Sequence, residues 1–265
     1  MTPLTRSGAG ALLELDSAPS GGRARDRIQE LREILRQHRF ALVRGGPRSV
    51  AEAVELLGQF GPINTAETRV DGAVLVDVGR NDEVFRSNEA LPLHKDGLLT
   101  GFDVRLVGIY CVDFRDVVGG RTYISDANRA LAKMDPTDLA ILRRQGVEGL
   151  AVDRSGYFLE EHNRRWYRLP AFIDDANGQP CLHLGLPHAP GERESWRVRI
   201  PEVEPAVSDR VLGSLRKALF HEDFVYWHSW REGDLLLIDN YAVLHGREAF
   251  TGSRRRLANI QVLKK

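Results

Sequence analysis

From Ala73 onward the apolar residues come as short, β-branched runs: Val74-Leu75-Val76, Val104–Val112, Thr122–Ile124, Ala171–Ile173 and Leu235–Ile238, separated by clusters of Gly, Pro and Asp. Runs of this length between turn-forming residues suit strands rather than helices, because each is too short to build several helical turns. A chain written this way closes into a β-sandwich or barrel. Two helical patterns interrupt it. In one, Asp135 caps a helix that has Pro136 at its first position and ends at Gly146; in the other, Ser208 to Phe220 places Val211, Leu212, Leu215 and Leu219 on one face.

The residues ahead of this β-rich region read as a small α/β lobe. Ile28, Leu31, Ile34 and Leu35 recur at helical spacing, and Ala41-Leu42-Val43 follow as a strand. Gly45-Gly46-Pro47 make a turn, and Ser49 caps a helix carrying Val54, Leu56, Leu57 and Phe60 that Gly61-Pro62 ends. Residues 17–25, SAPSGGRAR, are small, glycine-rich and charged. We therefore expect residues 1–25 to be a flexible lead-in and residues 26–265 to form a single α+β domain.

Charge excludes one class of function. Lys plus Arg number 37 and Asp plus Glu number 37, so the basic footprint of a nucleic-acid binder is missing. Hydrophobic residues at 42% and charged residues at 28% are those of a globular protein. No apolar run approaches the ~20 residues that span a bilayer, and Met1 to Asp16 shows no signal-peptide core, so a cytoplasmic location and no membrane partner are expected. Cys111 and Cys181 have no further partners for a zinc knuckle or disulfide framework and read as reduced structural thiols.

The chemistry-bearing residues stand apart from this background. His94 and Asp96 lie two residues apart, a spacing that puts both side chains on one face of an extended chain. His245 follows an apolar strand and the Asp239-Asn240 turn. Two histidines and one carboxylate make the facial triad that holds non-haem Fe(II) and leaves positions open for oxygen chemistry. A histidine–aspartate pair by itself is commonplace. Its weight here comes from Arg255, at the start of a last strand, whose guanidinium suits a two-pronged clamp on a carboxylate, and from Thr122, whose hydroxyl heads another strand. Strand alternation puts Arg255 with Leu257 and Asn259 on one face and Arg256 with Ala258 and Ile260 on the other. His162, His183, His188, His221 and His228 show no zinc-protease spacing and read as surface or packing histidines. Tyr226, Trp227 and Trp230 read as core aromatics, and Trp166 and Trp196 as candidate substrate contacts.

HKDG at 94–97, GGRT at 119–122, WREGDLLLIDN at 230–240, LHGREAF at 244–250 and RRRL at 254–257 occur in one order, after an opening HRFALVRGG, a helix and GQFGPI. Together they resemble the taurine/2,4-D dioxygenase family of Fe(II)- and 2-oxoglutarate-dependent oxygenases, from about Phe40 to the C-terminus. The resemblance implies a double-stranded β-helix, or jelly roll, with peripheral helices. It implies that His94, Asp96 and His245 bind iron, that Arg255 clamps the distal carboxylate of 2-oxoglutarate with Thr122 as its hydrogen-bond partner, and that O2 is consumed. The family's usual ending places a second arginine four residues after the first; here that position is Asn259.

Within the family, PLHKDG, GGRT, His228-x-Trp230 and LHGREAF most resemble enzymes that oxidise isocyanide derivatives of aromatic amino acids. The implied activity is hydroxylation or desaturation of a small amino-acid-derived substrate in natural-product biosynthesis. A hydroxylase of a free amino acid or another small carboxylate, or a non-oxidative metal-dependent jelly-roll enzyme, is the alternative. Oligomeric state and the position oxidised have no signal in the residues.

Overall fold

Strand Val104–Arg115 pairs along its length with Arg254–Leu263 on one side and with Leu235–Asp239 on the other, and the rest of the fold is laid out around this trio. The computed structural model describes residues 3–15, 23–66, 72–77, 84–98, 100–153, 165–175 and 177–264. The trio sits inside a six-stranded sheet ordered Ala11–Glu14, Phe40–Arg44, Leu235–Asp239, Val104–Arg115, Arg254–Leu263, Val74–Asp77. A four-stranded sheet is ordered Val225–His228, Thr122–Ser125, Leu244–Arg247, Leu91–His94. Neighbours in both sheets are antiparallel, except that Ala11–Glu14 runs parallel to Phe40–Arg44.

The pleat explains why the longer runs are apolar without interruption. Phe40, Leu42, Val107, Ile109, Leu236, Ile238 and Leu257 turn inward and pack with Ile124, Trp230 and Val243 between the sheets. Their neighbours Ala41, Val43, Leu235, Leu237, Ala258 and Ile260 turn outward against Leu31, Ile34 and Leu35 of the helix Arg23–His38 and Leu57 of the helix Val50–Gly58. A strand buried on both faces has no polar side to alternate with. The outer face of the smaller sheet, through Leu93, Tyr123 and Leu244, is covered by helices Pro136–Gln145 and Pro205–Leu219, including Leu142, Val211, Leu212 and Leu215. The result is an α+β fold in which sheets dominate.

Local signals set several boundaries. The Asp135 carboxylate accepts from the Thr137 and Asp138 amides, Pro136 opens the helix and Gly146 follows its last residue. Ser49 likewise accepts from the Glu52 amide at 3.2 Å. Four expectations need correction. Residues 11–14 are not part of a flexible lead-in: Ala11 and Leu13 are buried and the segment completes the edge of the large sheet. Order is expected from residue 26, but the helix Arg23–His38 already begins within the expected lead-in; residues 16–22 lie outside the described residues. The helix expected from Ser208 begins at Pro205, whose fixed φ suits a first turn, while the Ser208 hydroxyl accepts from the Ile200 amide at 2.9 Å. Trp227 is no core aromatic; it is 37% exposed, and the Arg121 guanidinium lies 4.7 Å from its ring centre. Cys111 and Cys181 are free and buried, and burial pushes the Cys111 thiol up to about 12. Among the described residues no helix is long and apolar enough to cross a membrane.

Candidate metal centre and its cavity

His94 is the last residue of its strand and pairs directly across the sheet with His245, so that the ring centroids stand 4.6 Å apart. Asp96 has already left the strand. Its convergence on the histidines therefore comes from the turn that follows, not from strand alternation as the spacing suggested. Asn240, fully buried, staples that turn: its Oδ1 accepts from the Asp96 amide at 3.1 Å, and its Nδ2 donates to the carbonyls of Asp96 at 3.0 Å and Val104 at 2.7 Å. Gly97 adopts φ +86°, and a Cβ there would stand 2.4 Å from the Phe102 carbonyl oxygen, so the turn requires glycine.

Asp96 Oδ1 lies 3.3 Å from His94 Nε2 and 3.5 Å from His245 Nε2, and the three donor atoms all fall within 4.8 Å of one another. His94 Nδ1 is 2.8 Å from the Pro92 carbonyl, which only accepts. Nδ1 thus donates to that carbonyl, and Nε2 is the ring atom turned toward Asp96. Burial pushes the His245 imidazole down to about 4, so its neutral form is favoured at pH 7. Burial works against the Asp96 carboxylate, but the two imidazoles and the Gln261 amide outweigh it and hold its carboxyl well below the ordinary range. Neutral imidazoles and an ionised carboxylate are the donors that a divalent transition metal takes. The other described histidines are not drawn into the cluster, and His162 lies outside the described residues.

The centre opens into a cavity of about 180 Å³. Arg255, Leu257, Asn259 and Gln261 line it from the last strand, whereas Arg256 is exposed. Arg255 is only 2% exposed. Its Nε donates to the Gly120 carbonyl at 3.3 Å, its guanidinium lies 5.1 Å from the Phe250 ring centre, and it forms no ion pair among the described residues. Burial, then the nearby Arg247, press its charged form downward. Gly120, at φ +70°, leaves room that a Cβ would take within 3.1 Å of Arg255 Nε. Thr122 Oγ1 accepts from the Trp230 indole at 3.0 Å, which leaves the hydroxyl's own proton available to the cavity it lines. Arg247, by contrast, is committed to structure: it donates to the carbonyls of Val84, Phe85 and Glu89 and ties that segment to the sheet.

Phe85, Leu91, Leu98, Ile109 and Trp196 supply the apolar wall. Trp196 packs 5.4 Å from the His94 ring and 4.9 Å from His188, with its indole donating to the Leu186 carbonyl at 2.9 Å. Trp166 is instead 37% exposed and carries the Arg199 guanidinium 4.1 Å above its ring. Lys95 folds its ammonium over the Tyr241 ring at 3.7 Å, and burial pushes it down to about 8. Arg197 pairs with Glu194 at 2.6 Å, and neither it nor Arg193 lines the cavity.

His188 supports the Trp196 wall, its Nε2 accepting from the Ser195 amide at 3.1 Å. Burial pushes its imidazole down to about 4. The unfolded chain thus binds a proton near pH 6.5 that the native state refuses until about pH 4, so this contribution is present above pH 6.5 and lost as the pH falls. Moving the metal-free protein from pH 7 to pH 5 is expected to cost on the order of 2 kcal/mol through His188. Urea unfolding at the two pH values should show this loss, and His188→Gln should reduce it; an equal loss in the variant would refute the assignment.

The chain's likeness to known proteins bears on the site. Residues 2–261 match the model of the family described as Taurine catabolism dioxygenase TauD, TfdA family. The tyrosine isonitrile desaturase of Pseudomonas aeruginosa is 29% identical over 235 residues, covering 84% of this chain and 76% of the relative. The 3-((Z)-2-isocyanoethenyl)-1H-indole synthase of Fischerella ambigua is 25% identical over 247 residues, covering 89% and 86%. The crystal structure of the PvcB protein from Pseudomonas aeruginosa superposes with a TM-score of 0.72 at 27% identity, covering 98% of this chain and 86% of that one.

Proposed function

The chain belongs to the TauD, TfdA dioxygenase family, and from that premise we propose that it is an Fe(II)- and 2-oxoglutarate-dependent oxygenase acting on a small amino-acid-derived substrate in natural-product biosynthesis. An isocyanide of tyrosine or tryptophan type is the leading substrate, and desaturation the leading outcome. We read the two packed sheets as a double-stranded β-helix that forms a single dioxygenase domain.

The observation that carries this reading is the pairing, in one cavity, of a His-Asp-His cluster with a buried arginine that has no ion pair among the described residues. His94, Asp96 and His245 would hold iron. A cation left uncompensated in a buried site calls for an anionic ligand. Arg255 would take the far carboxylate of 2-oxoglutarate in a charge-assisted pair, with the Thr122 hydroxyl donating to the same group. The Trp230 indole, by occupying one lone pair of Thr122, helps to aim that donation.

Bound Fe(II), with 2-oxoglutarate and O2, supplies an oxidant able to take hydrogen from an unactivated C–H bond. The protein's part is to orient and to exclude water. Trp196, Leu91 and Leu98 would hold the aromatic body of the substrate beside the metal, and Asp96, as a ligand, would take the place a halide needs, so halogenation is disfavoured. In a desaturation, two hydrogens leave adjacent carbons of the substrate while 2-oxoglutarate and O2 become succinate, CO2 and water. The substrate class rests on two relatives named for isocyanide chemistry, a tyrosine isonitrile desaturase and an isocyanoethenyl indole synthase.

Incubation with Fe(II), 2-oxoglutarate, ascorbate and air should convert a tyrosine- or tryptophan-derived isocyanide to a product short of two hydrogens, with or without loss of carboxylate, alongside equimolar succinate. Hydroxylation of free amino acids with the isocyanides ignored would overturn the substrate and leave the oxygenase.

A further inference from the structure

The outer oxygen of Asp96 is as firmly held as the inner one is exposed to the histidines. Oδ2 accepts from Gln261 Nε2 at 3.0 Å and from Asn259 Nδ2 at 3.3 Å. These two residues are separated by one position on the last strand, so both amides project from its cavity-facing side, beyond Arg255 and Leu257.

The direction of the Gln261 amide is set from behind. Its Oε1 accepts from Asn64 Nδ2 at 2.9 Å, the Asn64 Oδ1 accepts from the Ala66 amide at 3.1 Å, and the Asn64 amide itself donates to the Gln261 carbonyl at 2.8 Å. Asn64 is only 3% exposed. Exchanging N and O on Gln261 would set two acceptors against each other at Asp96 and two donors against each other at Asn64. A polarised row of amides, running from Ala66 through Asn64 and Gln261, therefore ends with an N–H on Asp96 Oδ2.

We propose that Asn259 and Gln261 are positioning residues that reserve Oδ2 of Asp96, so that this carboxylate offers a metal a single oxygen. The inference rests on the metal-centre reading given above. A carboxylate that rotated to offer both oxygens would fill one of the positions a facial triad leaves open for a chelating keto acid and O2. Two amide donors on one side and two imidazoles on the other oppose that rotation. Asn259, standing where the family's usual ending has an arginine, is thus turned toward the metal carboxylate and not toward a substrate anion.

The test is metal binding, read separately from turnover. Anaerobic titration with Co(II), followed by its visible absorption and by tryptophan fluorescence, should show affinity lower by roughly 10- to 100-fold in the Asn259→Ala/Gln261→Leu double variant, as is typical when partners of a metal ligand are removed. Each single variant should lose part of that; the metal-free thermal midpoint of Asn259→Ala should stay close to wild type, whereas Gln261→Leu, which strips the buried Asn64 Nδ2 of its acceptor, should lower its own. If the double variant unfolds, the single variants decide. Wild-type Co(II) affinity in these variants, with binding abolished in Asp96→Ala, would overturn the inference and leave the metal centre standing. Unchanged Co(II) binding in Asp96→Ala would remove the metal centre itself. A raised substrate KM with unaltered Co(II) affinity in Asn259→Ala would make Asn259 a substrate contact and also overturn the proposal.

Discussion

Alanine in place of His94, Asp96 or His245 is expected to abolish succinate formation while the fold persists. Each substitution removes one of three donors whose atoms lie within 4.8 Å, and two donors do not define a facial site. None of the three side chains belongs to the apolar clusters between or outside the sheets, so the packing that stabilises the fold is spared. His94 and His245 also keep their backbone pairing when the imidazole is lost. Succinate should be measured beside circular dichroism and thermal unfolding. Near-native turnover in two or more of the variants, with iron supplied, would show that the metal site lies elsewhere.

Arg255→Gln is expected to raise the concentration of 2-oxoglutarate required by one to several orders of magnitude. Losing one member of a desolvated charge pair costs roughly 2–5 kcal/mol, which converts to about 30-fold at the low end and a few thousand-fold at the high end. The same substitution should leave the metal-free protein no less stable. Arg255 is buried without an ion pair among the described residues, and its charge is held there at a cost until an anion arrives. Arg256→Gln is the control, since that side chain is exposed on the opposite face. The measurement is the 2-oxoglutarate dependence of succinate formation, with Fe(II) saturating. A large effect at Arg256 and none at Arg255 would mean that the strand register of the binding site has been misread by one residue.

Much of this site could be read from the residues because it is written in scarce, chemically distinct side chains. The members of the His94, Asp96 and His245 cluster stand in recognisable ordered segments, and Arg255 and Thr122 lead the segments that follow each histidine. Helix ends were legible where caps spell them out, as at Asp135, Pro136 and Gly146. The edge strand Ala11–Glu14 was not, because four residues carry little periodicity and their burial depends on Phe40–Arg44 lying alongside.

The supporting amides were hidden for a different reason. Asn240 lies within WREGDLLLIDN and Asn259 stands where the family's usual ending has an arginine, but neither position, nor Gln261, carries a signal for what its amide binds. An amide side chain has no spacing rule; where its donors and acceptors go is decided by elements distant in sequence, here the Asp96 turn and Asn64. Trp230 could be assigned to the core from its apolar setting, but its indole's bond to Thr122 could not be read before the strands were aligned.

Anaerobic addition of Fe(II) and then 2-oxoglutarate to the metal-free protein, followed by visible absorption, tests the central claim most directly. A keto acid chelated to an iron centre held by His94, Asp96 and His245 should produce a weak charge-transfer band that saturates at one equivalent of each, is absent in Asp96→Ala, and needs far more 2-oxoglutarate in Arg255→Gln. A wild-type protein that binds Fe(II) yet develops no band at saturating 2-oxoglutarate would contradict the assignment and leave a metal-dependent enzyme of another kind.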